Sequence, residues 1–153
     1  MKLYLAGPDV FRKYPLKHFE ELKKLCEKYE HEAIIPLDFD LTTSPDIFQG
    51  NITKIKYCDC VVANMNPFRG ICIDDGTAWE IGNAFALGKM IWGYSDWSEC
   101  SLKERTNLNK FLIDDIYPGI EDFGLSYNLM LSESIKKSGG KILKTFEEVL
   151  KEL

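Results

Sequence analysis

The sequence lacks the features of several large functional classes. No apolar run approaches the ~20 residues that a membrane-spanning helix needs. Lys and Arg form no basic block and the formal net charge is −5, which argues against a nucleic-acid polymer as partner because phosphate backbones are bound by concentrated cations. The first apolar run is broken by Gly7-Pro8 and is too short for a secretory signal peptide. We therefore expect neither a membrane nor a nucleic acid as a partner.

Residue sets typical of metal and cofactor sites are also missing. The five cysteines are odd in number and irregularly spaced, which argues against a disulfide framework and favours a reducing cytoplasm. The two histidines lie among charged residues, so neither a zinc ligand set nor a Ser-His-Asp triad is indicated. The loop AGPDVF has one glycine and is not G-x-G-x-x-G, and there is no P-loop. We predict no metal and no cofactor.

The 153 residues, of which 45% are apolar, suit one domain, which we place at 1–153. Apolar runs that predict strands alternate with stretches of helical periodicity. The predicted strands are 2–6, 33–36, 60–65 and 90–94. The predicted helices are 15–29, 44–57, 76–89, 102–113, 127–137 and 143–153. Such alternation predicts an α/β fold, with a parallel sheet and helices on both faces.

The helix predicted at 44–57 has both a start signal and an apolar side. Ser44 or Asp46 is a suitable cap at its beginning. The apolar residues expected on its inner side are Ile47, Phe48, Ile52 and Ile55.

The segment 59–89 carries the strongest chemical signal. It contains an apolar strand, a loop that ends at Asp74 and Asp75, and a helix with Glu80 in its first turns. Ligands of open α/β sheets bind at the carboxyl ends of the strands, and a pair of carboxylates is the equipment for cleaving a glycosidic bond. Acids near a helix start also have a purely structural explanation, because they offset the macrodipole. That dipole would favour an ionised Glu80, which suits a nucleophile.

Two further features of the sequence, the pair of aspartates before the helix and Tyr4 in the first strand, also have competing explanations. Asp-Asp-Gly-Thr is a good capping sequence, so we expect one aspartate to cap the helix and the other to face the crevice. Tyr4, in the first strand, is either a core aromatic or a hydroxyl that orients a carboxylate. Asn51 alone indicates no more than a cap or a surface group.

Several segments together resemble the nucleoside 2-deoxyribosyltransferase family. They are YLAGPDVF at 4–11, IPLD at 35–38, CDCVVANMNPFRG at 58–70, DDGTAWEIGNAFALGK at 74–89 and EDFGLSYNLML at 121–131. The resemblance implies a doubly wound, flavodoxin-like (Rossmann-like) sheet of about five strands. It also implies transfer of a 2-deoxyribosyl group from a 2′-deoxynucleoside to a free purine or pyrimidine base, with retention at C1′.

The resemblance assigns roles to individual residues. Glu80 matches the nucleophile that attacks C1′, Asp74 the acid near the sugar and the leaving base, and Tyr4 the tyrosine that holds the nucleophile. The substrate-binding positions are Gly7, Asp40, Asn51, Gly76, Asn128 and Met130. The last two match residues contributed by a neighbouring subunit, which implies a homo-oligomer. Asn51 and Asp40 depart from members that have an aspartate and a glutamine there, which bears on base selectivity and on the proton donor.

Two other functions use the same residues. One is hydrolysis of 2′-deoxynucleosides or their 5′-monophosphates, which we rank second because Asp9 in the first loop would repel a phosphate. The other is a catalytically silent nucleoside-binding module, since a fold does not determine a function.

Overall fold

The computed structural model describes residues 1–38, 41–108 and 118–153, which contain a five-stranded parallel sheet. Its strands are β1 (Lys2–Ala6), β2 (Glu32–Ile34), β3 (Cys60–Asn64), β4 (Met90–Tyr94) and β5 (Ile142–Leu143). Their order is β2-β1-β3-β4-β5. This is the doubly wound flavodoxin-like order, so the predicted fold class is confirmed.

Six α-helices and one short 3₁₀ turn lie in the same described ranges. The turn is Pro8–Phe11, and the helices are α1 (Pro15–Lys28), α2 (Ser44–Tyr57), α3 (Asp75–Ala86), α4 (Leu102–Leu108), α5 (Leu129–Lys137) and α6 (Phe146–Glu152). No helix in the described part of the chain has the length and apolar character needed to cross a bilayer.

The core has one layer on each face of the sheet. In β1, Tyr4 packs with residues of α2, α3 and α5, whereas the neighbouring Leu5 packs with residues of α1 and α6. β3 is buried along its whole length, as its continuous apolar sequence indicates for a central strand covered on both faces. Residues that follow β1 and β2 lie close to the start of α3 at the carboxyl ends of the strands.

β5 lies where the sequence predicted the last helix to begin. A two-residue strand has no detectable period, and it pairs with Gly93 and Tyr94 of β4. The helix begins only at Phe146, after Thr145, which forms a capping box with Glu148. The prediction of a helix from residue 143 was therefore wrong at its amino-terminal end.

The start of α2 also differs from its prediction. Thr43 caps the helix through its side chain, rather than Ser44 or Asp46. Ile55 is fully buried, but Ile47 and Phe48 are 41% and 54% exposed, so their expected place on the inner side was wrong.

Two later helices begin or end differently from the predictions. Asn128 caps α5, so this helix begins at Leu129 rather than at residue 127. In the described part of the chain α4 ends at Leu108, and the rest of the helix predicted at 102–113 lies outside the described residues.

Gly140→Ala tests how closely the chain approaches the sheet before β5. A Cβ at Gly140 would lie 1.8 Å from the Ile91 carbonyl oxygen, so the backbone would have to move. We expect a loss in the free energy of unfolding of about 1–3 kcal/mol or more, measured by urea denaturation. Gly82→Ala in α3 is the matched control, since no neighbour lies within 4 Å of its Cβ position. An equal loss in both variants would contradict this explanation.

Candidate active site

A cleft of about 540 Å³ opens where β1, β2, α2 and α3 meet. It is lined by Gly7, Val10, Phe11, Pro36, Leu37, Leu41, Ile47, Asn51, Asp74, Gly76 and Glu80. Most of these side chains are apolar. Five of the lining residues were predicted at the site, namely Gly7, Asn51, Asp74, Gly76 and Glu80. Another cleft, at the opposite edge of the sheet around Met1 and His31, contains none of the predicted site residues.

A short hydrogen bond joins β1 to α3 at this cleft. The Tyr4 hydroxyl donates to Glu80 Oε1 at 2.5 Å, and the Tyr4 side chain is fully buried. Burial and the neighbouring Glu80 charge raise the pKa of Tyr4 well above its usual range, so the phenol stays protonated and remains a donor. The bond occupies one carboxyl oxygen of Glu80 and leaves Oε2 for a ligand.

The carboxyl group of Glu80 has a pKa raised to about 7, chiefly by burial. The Tyr4 hydrogen bond and Lys54 oppose this rise, and the Asp74 charge adds to it. Glu80 is the sixth residue of α3, beyond the first turn in which a helix dipole acts strongly. The expectation of a Glu80 that ionises more easily than usual was therefore wrong, because burial raises the pKa of its carboxyl group.

Asp74 combines two tasks that the sequence assigned to different aspartates. It caps α3, with its Oδ2 accepting from the Thr77 amide at 2.9 Å and from the Thr77 hydroxyl at 3.0 Å. It also lines the cleft, where its charge acts on Glu80. Asp75 is exposed at the first position of the helix and is absent from the lining of this cleft.

The two glycines expected at the site both line the cleft. A Cβ at Gly7 would lie 2.7 Å from the Asn64 Cβ, so the absence of a side chain lets the loop after β1 pack against the end of β3. A Cβ at Gly76 would lie 3.1 Å from Asp74 Oδ2, the atom that caps α3. Asp40, by contrast, lies outside the described residues.

The sequence and the fold of this chain both match those of known proteins. A family model described as "Nucleoside 2-deoxyribosyltransferase" matches residues 3–130. The chain belongs to this family. It is similar to a 2-desoxiribosyltransferase of Leishmania mexicana, with 30% identity, a TM-score of 0.82, and coverage of 99% of this chain and 95% of the other.

Two solved structures of lower sequence identity show the fold alone. A 2-deoxyribosyltransferase of Bacillus psychrosaccharolyticus has a TM-score of 0.56 at 22% identity, covering 88% of this chain and 82% of the other. A CMP N-glycosidase of Clostridium botulinum has a TM-score of 0.59 at 17% identity, covering 99% and 97%.

A curated relative matches part of the chain. It is an uncharacterised protein of Schizosaccharomyces pombe, 31% identical over 103 residues, a match that covers 61% of this chain and 49% of that protein. The chain thus spans about half the length of the relative.

Two residues expected at a family active site lie outside the cleft of their own chain. Asn128 is exposed and caps α5, with its Oδ1 accepting from the Met130 amide at 3.0 Å and its Nδ2 donating to Glu121 at 2.5 Å. The Met130 side chain is 68% exposed. Their expected role, which requires a neighbouring subunit, stays a prediction.

Neither the apolar lining of the cleft, Phe11 included, nor Lys54 behind it was singled out from the sequence as part of the site. Phe11 forms its rim and stacks on Phe68 with ring centroids 5.2 Å apart, and the Arg69 guanidinium lies 4.6 Å from the Phe68 centroid. Lys54 lies behind the cleft, with its Nζ 3.4 Å from Asn51 Oδ1. The sequence offered one indication that Lys54 is buried, because this lysine directly precedes Ile55, which faces the core.

Among the described residues no group of three or more His, Cys, Asp and Glu is arranged to hold a metal ion.

Tyr4→Phe tests the hydrogen bond at the cleft. The bond stabilises the ionised form of Glu80, so we expect its loss to raise the Glu80 pKa above about 7. Side-chain carboxyl ¹³C chemical shifts followed against pH measure this directly. The control is Tyr127→Phe, which removes another buried hydroxyl, bonded to Ser95 Oγ at 2.5 Å. A Glu80 titration that is unchanged in Tyr4→Phe would refute the assignment.

Proposed function

We propose that this protein transfers the 2-deoxyribosyl group of a 2′-deoxynucleoside to a free purine or pyrimidine base, as in nucleoside salvage. The observation that carries the proposal is the Tyr4–Glu80 hydrogen bond beside Asp74 in a largely apolar cleft. Family membership and the likeness to the Leishmania mexicana enzyme support it.

In the first step Glu80 acts as the nucleophile. Tyr4 holds Oε1, and Oε2 forms a bond to C1′ while the bond from C1′ to the base nitrogen breaks. The bonding electron pair leaves with the base, which takes up a proton from water, and the second step returns one proton. Attack needs the ionised carboxylate. Because the pKa of Glu80 is raised to about 7, this form predominates only above about pH 7. Asp74 has only Oδ1 free for the sugar or the base, since Thr77 occupies Oδ2.

In the second step a nitrogen of the incoming base attacks C1′ and Glu80 leaves as a carboxylate. The incoming base loses a proton to complete the neutral nucleoside. Two displacements at C1′ give net retention and ping-pong kinetics. The apolar lining from Val10, Phe11 and Leu41 suits a flat base and restricts water, which would otherwise hydrolyse the intermediate.

Hydrolysis is the second candidate, and one observation favours keeping it. Asp9 is 4% exposed and accepts hydrogen bonds from Arg12 Nε at 2.6 Å and Asn64 Nδ2 at 2.8 Å. Its Oδ1 also lies 3.1 Å from His18 Nε2. This carboxylate is compensated by its neighbours and does not line the cleft, which weakens the reason for ranking hydrolysis of 5′-monophosphates second.

Glu80→Gln separates these functions when products are resolved chromatographically. We expect the wild type, given 2′-deoxyinosine with adenine and cytosine, to form deoxyadenosine or deoxycytidine. Loss of the nucleophile should reduce this by a factor on the order of a thousand or more. Asp75→Asn, at an exposed acid outside the cleft, should retain activity. Free hypoxanthine alone would indicate hydrolysis, binding without turnover would indicate a silent module, and an active Glu80→Gln protein would refute the mechanism.

We further propose that a second copy of the chain completes the site with Asn128 and Met130. Both residues are exposed on their own chain. An apolar surface borders the cleft, where Phe48 and Trp79 have ring centroids 5.4 Å apart and are 54% and 46% exposed. A self-complementary contact that covers these rings would suit a homo-oligomer.

Mixed oligomers test the shared site. Asn128→Ser keeps a residue that caps helices well but removes the amide group, so the fold should be maintained while activity falls. Co-expression of Asn128→Ser with Glu80→Gln should restore activity above that of either variant, because some sites then receive both native residues. Assays of each variant alone, and sedimentation to establish the assembly, are the controls. A monomer with full activity would contradict the proposal.

A further inference from the structure

Lys54 is a buried lysine directly behind the wall of the cleft. It lies on α2 next to the core residue Ile55, and only 4% of it is exposed. Its Nζ donates to the Pro36 carbonyl at 2.5 Å and to Asn51 Oδ1 at 3.4 Å. Pro36 and Asn51 both line the cleft. The ammonium group therefore joins the segment after β2 to α2 at the wall of the cleft.

The charges around Lys54 connect it to Glu80. Burial lowers the pKa of Lys54, and the carboxylates of Asp38 and Glu80 oppose this. Asp38 also pairs with Lys23, at 2.7 Å. A buried cation is stabilised by nearby anions, and it stabilises their ionised forms in return.

The groups that face Glu80 come from three elements. Tyr4 lies on β1, Asp74 at the start of α3, and Lys54 on α2. Within the described residues, Lys54 is the cation among the groups that act on the Glu80 charge.

We propose that Lys54 is a positioning residue, which fixes the orientation of the Asn51 amide at the cleft and holds a positive charge beside Glu80. An ammonium group only donates hydrogen bonds, so its contact turns Oδ1 of Asn51 toward Lys54. The Asn51 NH₂ group is then the part of the amide available to a ligand. It would recognise an acceptor atom of the base, such as a carbonyl oxygen or an unprotonated ring nitrogen.

The positive charge has a consequence that rests on the proposed function. Glu80 changes from an anion to a neutral ester when it bonds to C1′, and returns to an anion when the second base displaces it. A cation beside it stabilises the carboxylate as it leaves. Lys54 therefore acts on the ionisation of the free enzyme and on the second step.

Lys54→Met tests this role because it removes the charge but keeps a side chain of similar length. The pKa of Glu80 is measured without substrate, from the carboxyl ¹³C resonance that disappears in Glu80→Gln. We expect an increase by on the order of one pH unit, as for loss of a nearby opposite charge. Lys54→Gln, which keeps a donor without the charge, should behave similarly, and Lys54→Arg should restore a titration near that of the wild type.

Lys89→Met is the matched control. Lys89 Nζ donates to the carbonyls of Lys56 and Cys58 at 2.7 Å each, at the carboxyl end of α2, and Lys89 is not among the groups that act on the Glu80 charge. The proposal is overturned if the Glu80 titration is unchanged in both neutral Lys54 variants, or if Lys89→Met moves it equally. Lys54→Gln decides the matter if Lys54→Met does not fold.

Kinetics then separate the two proposals. If deoxyribosyl transfer occurs, the acid limb of kcat/KM should move upward in Lys54→Met by the same amount as the Glu80 titration. If the titration moves as expected but the wild type turns over no deoxynucleoside, the proposed function fails and the positioning role of Lys54 stands.

Discussion

The hydrogen bond from Tyr4 to Glu80 is the contact on which the geometry of the site depends. It joins the central part of the sheet to the second turn of α3, so the position of the carboxyl group is set by packing in the core. A rigid attachment of this kind suits a nucleophile, because a carboxylate that is already aligned loses little freedom on attack. The same burial makes ionisation of Glu80 harder, and neighbouring groups must offset that effect.

The sequence allowed prediction of the features that have a clear period or a local signal. Strand β3 could be recognised because it is apolar throughout, and the start of α3 because Asp-Asp-Gly-Thr is a capping sequence. The five-stranded fold and family membership followed from several such segments in order, and both are confirmed. Glu80, Asp74, Asn51 and the two site glycines were expected together, and the cleft brings them together.

The rest depends on distances between residues far apart in sequence. β5 is two residues long, which is too short to show a period. The sequence around Lys54 does not indicate that its ammonium group donates to the Pro36 carbonyl. The direction of the Glu80 pKa shift was also beyond reach, because it results from a balance between burial and three neighbours. Position along a helix indicates nothing about burial, which is the largest cause of this shift.

The double task of Asp74 limits how substrate selectivity can be altered. Its carboxylate holds the first turn of α3 and also forms part of the cleft, so a substitution that changes ligand contacts there also weakens the helix that carries Glu80. Asn51 contacts the cleft from the interior of α2 and caps nothing. If the proposed transfer to other bases is to be altered, Asn51 is therefore the better position to change, because it lies away from the start of α3.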